Sequence, residues 1–198
     1  MDGAILDATS VTGKTALSLA AQNGHTGCLK ALVLAGAYLD AKRWNCWTAL
    51  MLATQYGHAA CLKGLVDAGV DLDAQTNEGT SALMLAAQNG HSGCLKGLVD
   101  AGVDLDAQNW NGWTALIMAA QNGHSGCLKG LVDAGADLDA QNEEGTSALM
   151  LAVVNGHPEC LKGLVDAGVD LDAQNWNGWT ALIMAAQNGH TECVVLLC

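Results

Sequence analysis

Apolar and polar positions along the chain return in the same order every 33 residues. One copy of the pattern occupies residues 109–135 and reads NWNGWTALIMAAQNGHSGCLKGLVDAG. Gly112 of this copy recurs as Gly13, Gly79, Gly145 and Gly178, and Cys46 takes the remaining place in the series. A period between about 20 and 50 residues is typical of solenoids, propellers and other repeat arrays.

Each copy predicts two short helices followed by a loop. Thr114 suits the N-cap of a first helix over residues 115–121, and Gly123 suits the left-handed conformation that ends a helix. A second helix is expected between His124 and Gly135, where apolar residues follow the three-and-four spacing of a buried stripe. The rest of each copy is rich in Asp, Asn and Gly and predicts an extended loop with tight turns.

The repeat fills the chain, because 198 residues equal six periods of 33. A single elongated domain is therefore expected over residues 1–198, with neighbouring helix pairs stacked into one core because each pair is too small to bury its apolar face alone. The units are a partial repeat over residues 1–8, then repeats that begin near residues 9, 42, 75, 108, 141 and 174, the last of them truncated. The first full repeat is the least regular, and the second full repeat carries Lys42, Arg43, Cys46 and Tyr56.

The loop and helix pair resemble the ankyrin repeat, whose signature is T-P-L-H-x-A. The signature is matched at residues 15–17, 48–51, 81–84, 114–117, 147–150 and 180–183. Ala replaces its Pro throughout, and Ser, Met or Ile replaces its His. The resemblance covers essentially the whole chain and implies an all-α ankyrin-repeat solenoid.

Tryptophan is expected at the loop tips, in the pairs Trp44/Trp47, Trp110/Trp113 and Trp176/Trp179. In ankyrin repeats the tips and the two residues before the Gly-His pair usually contact the partner, so the resemblance implies a partner-binding surface. Its predicted members are Trp44, Trp47, Tyr56, Trp110, Asn111, Trp113, Gln121, Asn122, Trp176, Asn177, Trp179, Gln187 and Asn188. Exposed Trp beside Asn and Gln has the composition of an interaction hot spot. The alternative is that each Trp packs on the neighbouring loop and stiffens the row.

Columns of histidine and cysteine raise the question of metal binding or Cys/His catalysis. They are His25, His58, His91, His124, His157 and His190, and Cys28, Cys61, Cys94, Cys127, Cys160 and Cys193. Successive copies should lie about 8 to 10 Å apart, whereas a zinc ion needs four ligands within about 2.3 Å. We therefore predict no metal, no cofactor and no catalytic residue. Cys is expected to pack in the core, and the resemblance implies that His orders the turn between helices.

Two further columns have a structural and a functional interpretation. The pairs Asp71/Asp73 and Asp104/Asp106 recur in later repeats, and their carboxylates are expected to accept hydrogen bonds from loop amides rather than bind calcium. Gly97 and its equivalents inside the second helices cost about 1 kcal/mol relative to alanine. They predict a locally weak outer helix, and unusually close helix packing is the alternative.

The net charge of −12 argues against a nucleic-acid partner, because the eight basic residues are spread singly along the array. No apolar run reaches the roughly 18 residues of a membrane span, and the first ten residues do not resemble a signal peptide. We expect no membrane insertion and a reducing, cytoplasmic location.

The leading hypothesis is a non-enzymatic scaffold that binds a protein of unknown identity through the loop tips and the first-helix face. One alternative is a structural or self-assembling array, joined through uncapped ends or through the Trp row. The other is binding of a small ligand, such as a sugar stacked on paired Trp.

Overall fold

The computed structural model describes residues 5–198, so the start of the predicted partial repeat, residues 1–4, lies outside the described range. The described residues form twelve helices in six consecutive pairs. Their bounds are α1 Ala16–Gln22, α2 Thr26–Leu34, α3 Ala49–Gln55, α4 Ala59–Asp67, α5 Ala82–Gln88, α6 Ser92–Asp100, α7 Ala115–Gln121, α8 Ser125–Ala134, α9 Ala148–Val154, α10 Pro158–Asp166, α11 Ala181–Asn188 and α12 Thr191–Leu197.

Side-chain caps begin the first helix of each pair. The Thr114 hydroxyl accepts a hydrogen bond from the Ile117 N–H, and Ser or Thr occupies the same position in the other repeats. A cap of this kind contributes about 1 kcal/mol because it pairs an amide that the helix itself cannot satisfy. The predicted bounds of α7 and α8 are confirmed, and Pro158 lies in the first turn of α10, where its missing N–H costs nothing.

The helices stack in two layers. First helices pack on first helices from α1 through α11, and second helices pack on second helices from α2 through α12. One hydrophobic cluster runs through all the repeats. Its largest fully buried side chains include Leu17, Leu50 and Leu116 of the first helices. The predicted all-α solenoid is confirmed.

Coverage by a neighbouring repeat decides whether an apolar side chain is buried. Ile117 is 0% exposed between α5 and α9, whereas Ile183, which has the same place in α11, is 47% exposed. Ile183 is exposed because no further helix pair packs on α11 among the described residues. Self-association through the ends of the array stays a prediction.

The glycines inside the second helices receive a leucine from the preceding repeat. A Cβ atom built on Gly97 would lie 3.0 Å from Leu62 Cδ2, and one on Gly130 would lie 3.0 Å from Leu95 Cδ2. The structure thus favours close packing of neighbouring outer helices, the alternative in the sequence analysis, over a merely weak helix.

Candidate functional site

Five of the six loop tips are tight turns held by a side chain at their start. In the fourth repeat, Asn109 Oδ1 accepts hydrogen bonds from the Asn111 N–H at 3.0 Å and from the Trp113 N–H at 2.9 Å. The Asn109 N–H in turn donates to the Trp113 carbonyl at 3.1 Å. These bonds fix the directions in which the two tryptophans of the tip project.

Neighbouring tips are joined through their backbones. The Trp110 N–H donates to the Glu78 carbonyl at 3.2 Å, and the Glu143 N–H donates to the Asn111 carbonyl at 3.1 Å. The Trp176 N–H continues the series to the Glu144 carbonyl at 3.4 Å. The tips therefore form one continuous edge of the array. We call this edge, together with the exposed residues of the first helices, the tip face.

The two tryptophans of each tip have different environments. Trp44, Trp110 and Trp176 are 71 to 76% exposed, yet each lies against the preceding tip, since a Cβ on Gly79 would be 3.0 Å from Trp110 Cδ1. The second members, Trp47, Trp113 and Trp179, are half-buried against the hydrophobic core. The sequence hypotheses of exposure and of packing thus describe different members of each pair.

The polar residues predicted for the partner surface also lie on the tip face. Asn111 and Asn177 are exposed beside the exposed tryptophans, and Gln187 is exposed near the end of α11. Tyr56 and Asn122 are exposed as well, while Gln121 is half-buried. The amides of Asn122 and Asn188 also bond within their own repeats, to the carbonyls of Met118 and Met184 at 2.8 and 2.9 Å.

The histidine column connects repeats. His124 Nε2 lies 3.1 Å from the Gln88 carbonyl oxygen of the preceding repeat, and the same bond recurs from His58, His91, His157 and His190. The imidazole covers the preceding turn so closely that a Cβ on Gly90 would be 2.7 Å from His124 Nδ1. Each of these histidines therefore contacts the turn between the helices of the preceding repeat, a connection across repeats that the sequence does not reveal.

The cysteine column packs in the core from Cys61 to Cys193, as predicted, but the prediction is wrong for Cys28, which is exposed in the first repeat. Burial raises the pKa of the Cys94, Cys127 and Cys160 thiols from 9.0 to about 11, so these thiols stay protonated at neutral pH and are poor nucleophiles or metal ligands. Between residues 5 and 198, no group of three or more His, Cys, Asp or Glu side chains is placed to hold a metal ion.

The aspartate column forms a ladder of bonds to loop amides, as predicted. Asp137 Oδ1 accepts from the Asp139 N–H at 3.0 Å, and Asp106 Oδ1 accepts from the Asp137 N–H of the next repeat at 2.8 Å. Half of the ladder therefore joins neighbouring repeats, a connection that the sequence does not reveal.

A groove on the tip face contains residues that were not assigned to the site from the sequence. It lies between the second tip and α3 and is lined by Thr12, Arg43, Trp44, Trp47, Gln55 and Tyr56, among others. Arg43 was visible only as an irregularity of the second repeat. Its place beside three aromatic residues depends on how the tip folds over α3.

Within the described part of the chain, every helix is too short or too polar to cross a membrane.

The family model described as ankyrin repeats matches residues 3–76, 65–142 and 134–198. The chain belongs to the ankyrin-repeat family. Ankyrin repeats generally mediate protein–protein interaction, so family membership makes a protein the expected class of partner for this chain. No curated protein matches it.

Solved ankyrin-repeat structures share the architecture along nearly the whole chain. The ankyrin repeat domain of Bcl-3, described as a unique member of the IkappaB protein family, is 29% identical with a TM-score of 0.87, over 97% of this chain and 85% of that one. The ankyrin repeat protein EF0377 is 30% identical with a TM-score of 0.86, over 96% and 98%. The human ASB11 ankyrin repeat domain is 25% identical with a TM-score of 0.84, over 93% and 82%.

Proposed function

We propose that this ankyrin-repeat chain is a non-enzymatic scaffold that binds a partner protein through its tip face. The observation that supports the proposal best is the row of exposed indoles at Trp44, Trp110 and Trp176. A fold that needed these side chains only for packing would have covered them, as it covers the second tryptophan of each tip.

Burial of the exposed indoles would supply much of the binding energy. A tryptophan buries about 150 to 250 Å² when it is covered, and truncation of a hot-spot residue commonly costs 2 kcal/mol or more. Asn111 and Asn177 stand beside these indoles and offer amide groups to a partner backbone. The tips that carry Trp110 and Trp176 are already held by backbone and side-chain bonds, so they lose little conformational freedom on binding.

The charge and the cysteines bear on the partner and on the location. A net charge of −12 disfavours nucleic acid. All eight cysteines are free thiols, which is typical of proteins in a reducing compartment such as the cytoplasm.

The test is affinity capture by the full chain, with bound proteins identified by mass spectrometry. Replacing Trp44, Trp110 and Trp176 by Ala should abolish capture and leave the helical circular dichroism unchanged, because these side chains are mostly exposed. The control replaces Lys63 and Lys96, which form exposed ion pairs on the outer helices, and should capture normally. Undiminished capture by the tryptophan variant would refute the tip face as the binding surface.

Self-association and sugar binding stay alternative predictions. Light scattering of the same samples across concentration separates the first, since a self-assembling array grows with concentration. The second requires stacking on paired indoles, and the half-burial of Trp113 and Trp179 leaves only one open indole at each of those tips.

A further inference from the structure

The second repeat departs from the other five at three positions that elsewhere order the fold locally. The position of Arg43 is otherwise held by Ser10, Thr76, Asn109, Asn142 and Asn175. The position of Cys46 is otherwise Gly13, Gly79, Gly112, Gly145 and Gly178. The position of Tyr56 is otherwise Asn23, Asn89, Asn122, Asn155 and Asn188.

At the first position the second tip lacks the acceptor that closes every other tip. Ser, Thr or Asn there accepts hydrogen bonds from the amides two and four residues later in the five other repeats. Arg43 carries only donors and cannot replace that acceptor. The second tip therefore forms without a stabilising contact that the rest of the array uses.

At the second position the tip keeps the backbone conformation without the residue that suits it. Cys46 has a φ of 60°, in the left-handed region, where the other repeats have glycine. A side chain with a Cβ is strained there, because the Cβ approaches the following carbonyl oxygen. Cys46 therefore also destabilises the second tip.

At the third position Tyr56 replaces an Asn, so the second repeat lacks a side-chain amide at the end of its first helix. In the other repeats this Asn donates to the carbonyl four residues earlier, at 2.8 to 2.9 Å. Asn89 also exchanges two hydrogen bonds with Gln55. The Tyr56 hydroxyl oxygen accepts a hydrogen bond from Gln22 Nε2 at 3.4 Å, and Gln22 Oε1 is left buried without a partner.

The three departures converge on one groove. Arg43 and Tyr56 line it together with Trp44 and Trp47, and Cys46 is the turn residue between those two tryptophans. The salt bridges among residues 5–198 are Lys63–Asp67 and Lys96–Asp100, so Arg43, a half-buried residue, has no carboxylate partner there. An unpaired cation beside exposed aromatic rings fits a ligand that brings a carboxylate and an aromatic group.

The adjoining groove offers the opposite charge. It is lined by Glu78 and shares Asn45, Trp47 and Gln55 with the first groove, so the two lie side by side. Neighbouring repeats lie about 8 to 10 Å apart, and an extended chain advances roughly 3.3 Å per residue. A peptide that crosses from one groove to the next would therefore present side chains about three residues apart.

We propose that these adjoining grooves bind an extended segment of a partner protein with a defined charge order. An aromatic residue of the segment enters between Trp44 and Tyr56, and an adjacent carboxylate pairs with Arg43. A basic residue about three positions along the segment pairs with Glu78. This inference rests on the proposed scaffold function and specifies the chemistry of the partner.

The probe is an array of twelve-residue peptides, each with an aromatic–acidic pair and a lysine three residues after the acid, at otherwise random positions. Matched arrays reverse or neutralise the two charges. The full chain should bind the first array preferentially. Arg43→Asn and Tyr56→Asn should each weaken binding of the selected peptides roughly tenfold or more, as expected for a charge-assisted bond and a buried aromatic contact. Lys96→Ala, which removes an exposed ion pair on the outer helix α6, should bind as the unmodified chain does.

Urea unfolding of the same variants shows whether the three departures lower stability in favour of binding or are substitutions without an effect on binding. Arg43→Asn, Cys46→Gly and Tyr56→Asn restore the residues of the other repeats, so each should raise the urea midpoint. Greater stability with loss of peptide binding supports the inference. Greater stability with unchanged binding overturns it, as does a midpoint that falls in all three variants.

The two proposals can fail separately. If proteins are captured through Trp110 and Trp176 while the arrays show no charge preference, the groove inference is wrong and the scaffold function stands. If the tryptophan variant captures proteins normally, the tip face is not the binding surface, whatever the arrays show.

Discussion

Gly90 illustrates how a single residue is fixed by a neighbour 34 positions away in the chain. Its φ of 71° already favours glycine, and the His124 ring of the next repeat lies where a Cβ would be. Gly102 has a similar φ of 82°, but a Cβ there would meet nothing within 4 Å. The two glycines therefore separate backbone strain from contact between repeats.

Replacing Gly102 by Ala should lower the free energy of unfolding by about 1 to 2 kcal/mol, the cost of a left-handed backbone for a residue with a Cβ. Gly90→Ala should cost roughly a further 1 to 3 kcal/mol, because the methyl group displaces the imidazole. Urea unfolding of both variants measures the difference.

A double-mutant cycle with His124→Ala checks the cause. Removal of the ring should recover the extra loss at Gly90 and leave Gly102→Ala unaffected. Equal losses at the two glycines would show that His124 does not restrict this turn.

The sequence revealed the Gly-His pair but not its partner. Capping depends on local sequence, so Thr114 and Gly135 could be predicted as helix ends, and both predictions are confirmed. The Gln88 carbonyl that His124 contacts is 36 residues away and carries no side-chain signal. The same limit hid half of the aspartate ladder.

At the scale of helices, the glycines of the outer layer are of two kinds. A Cβ on Gly97 would lie 3.0 Å from Leu62 Cδ2, tighter than ordinary contact, whereas a Cβ on Gly93 would lie 3.8 Å from the Ala59 side chain. Both glycines belong to α6. One is therefore needed for packing, and the other only lowers helix propensity.

Gly93→Ala should raise the free energy of unfolding by about 0.5 to 1 kcal/mol through helix propensity alone. Gly97→Ala should raise the free energy of unfolding by less, or lower it, because the Leu62 side chain must move to admit the methyl group. Thermal or urea unfolding of the pair provides the comparison. A larger gain at Gly97 than at Gly93 would mean that the outer helices have space between them and do not need the glycine.

The environments of the tryptophans could be predicted only in part at this scale. The 33-residue period placed both members of each pair at a tip. Which member is exposed depends on the packing beneath the tip, where Trp113 reaches the core and Trp110 lies over Gly79. Because both are tryptophans within four residues, the pattern of residue types could not separate them.

At the scale of the whole molecule, near-identical repeats build a uniform core and a tip face that is not uniform. Exposed tryptophan appears at alternate tips, with Glu78 and Glu144 at the tips between them. Five of the eight basic residues lie on the second helices, and the other three, Lys14, Lys42 and Arg43, lie at the first two tips. A partner that spans the tip face would therefore meet a different chemistry at each end, which sets the direction in which it binds.

Hydrogen–deuterium exchange of the full chain, alone and with the protein recovered by capture, tests the central claim most directly. The account predicts slower exchange in the tip segments 43–47, 109–113 and 175–179 when the partner is bound, with unchanged exchange in the outer helices α4, α6, α8 and α10. Protection confined to those outer helices, with the tips unchanged, would contradict it.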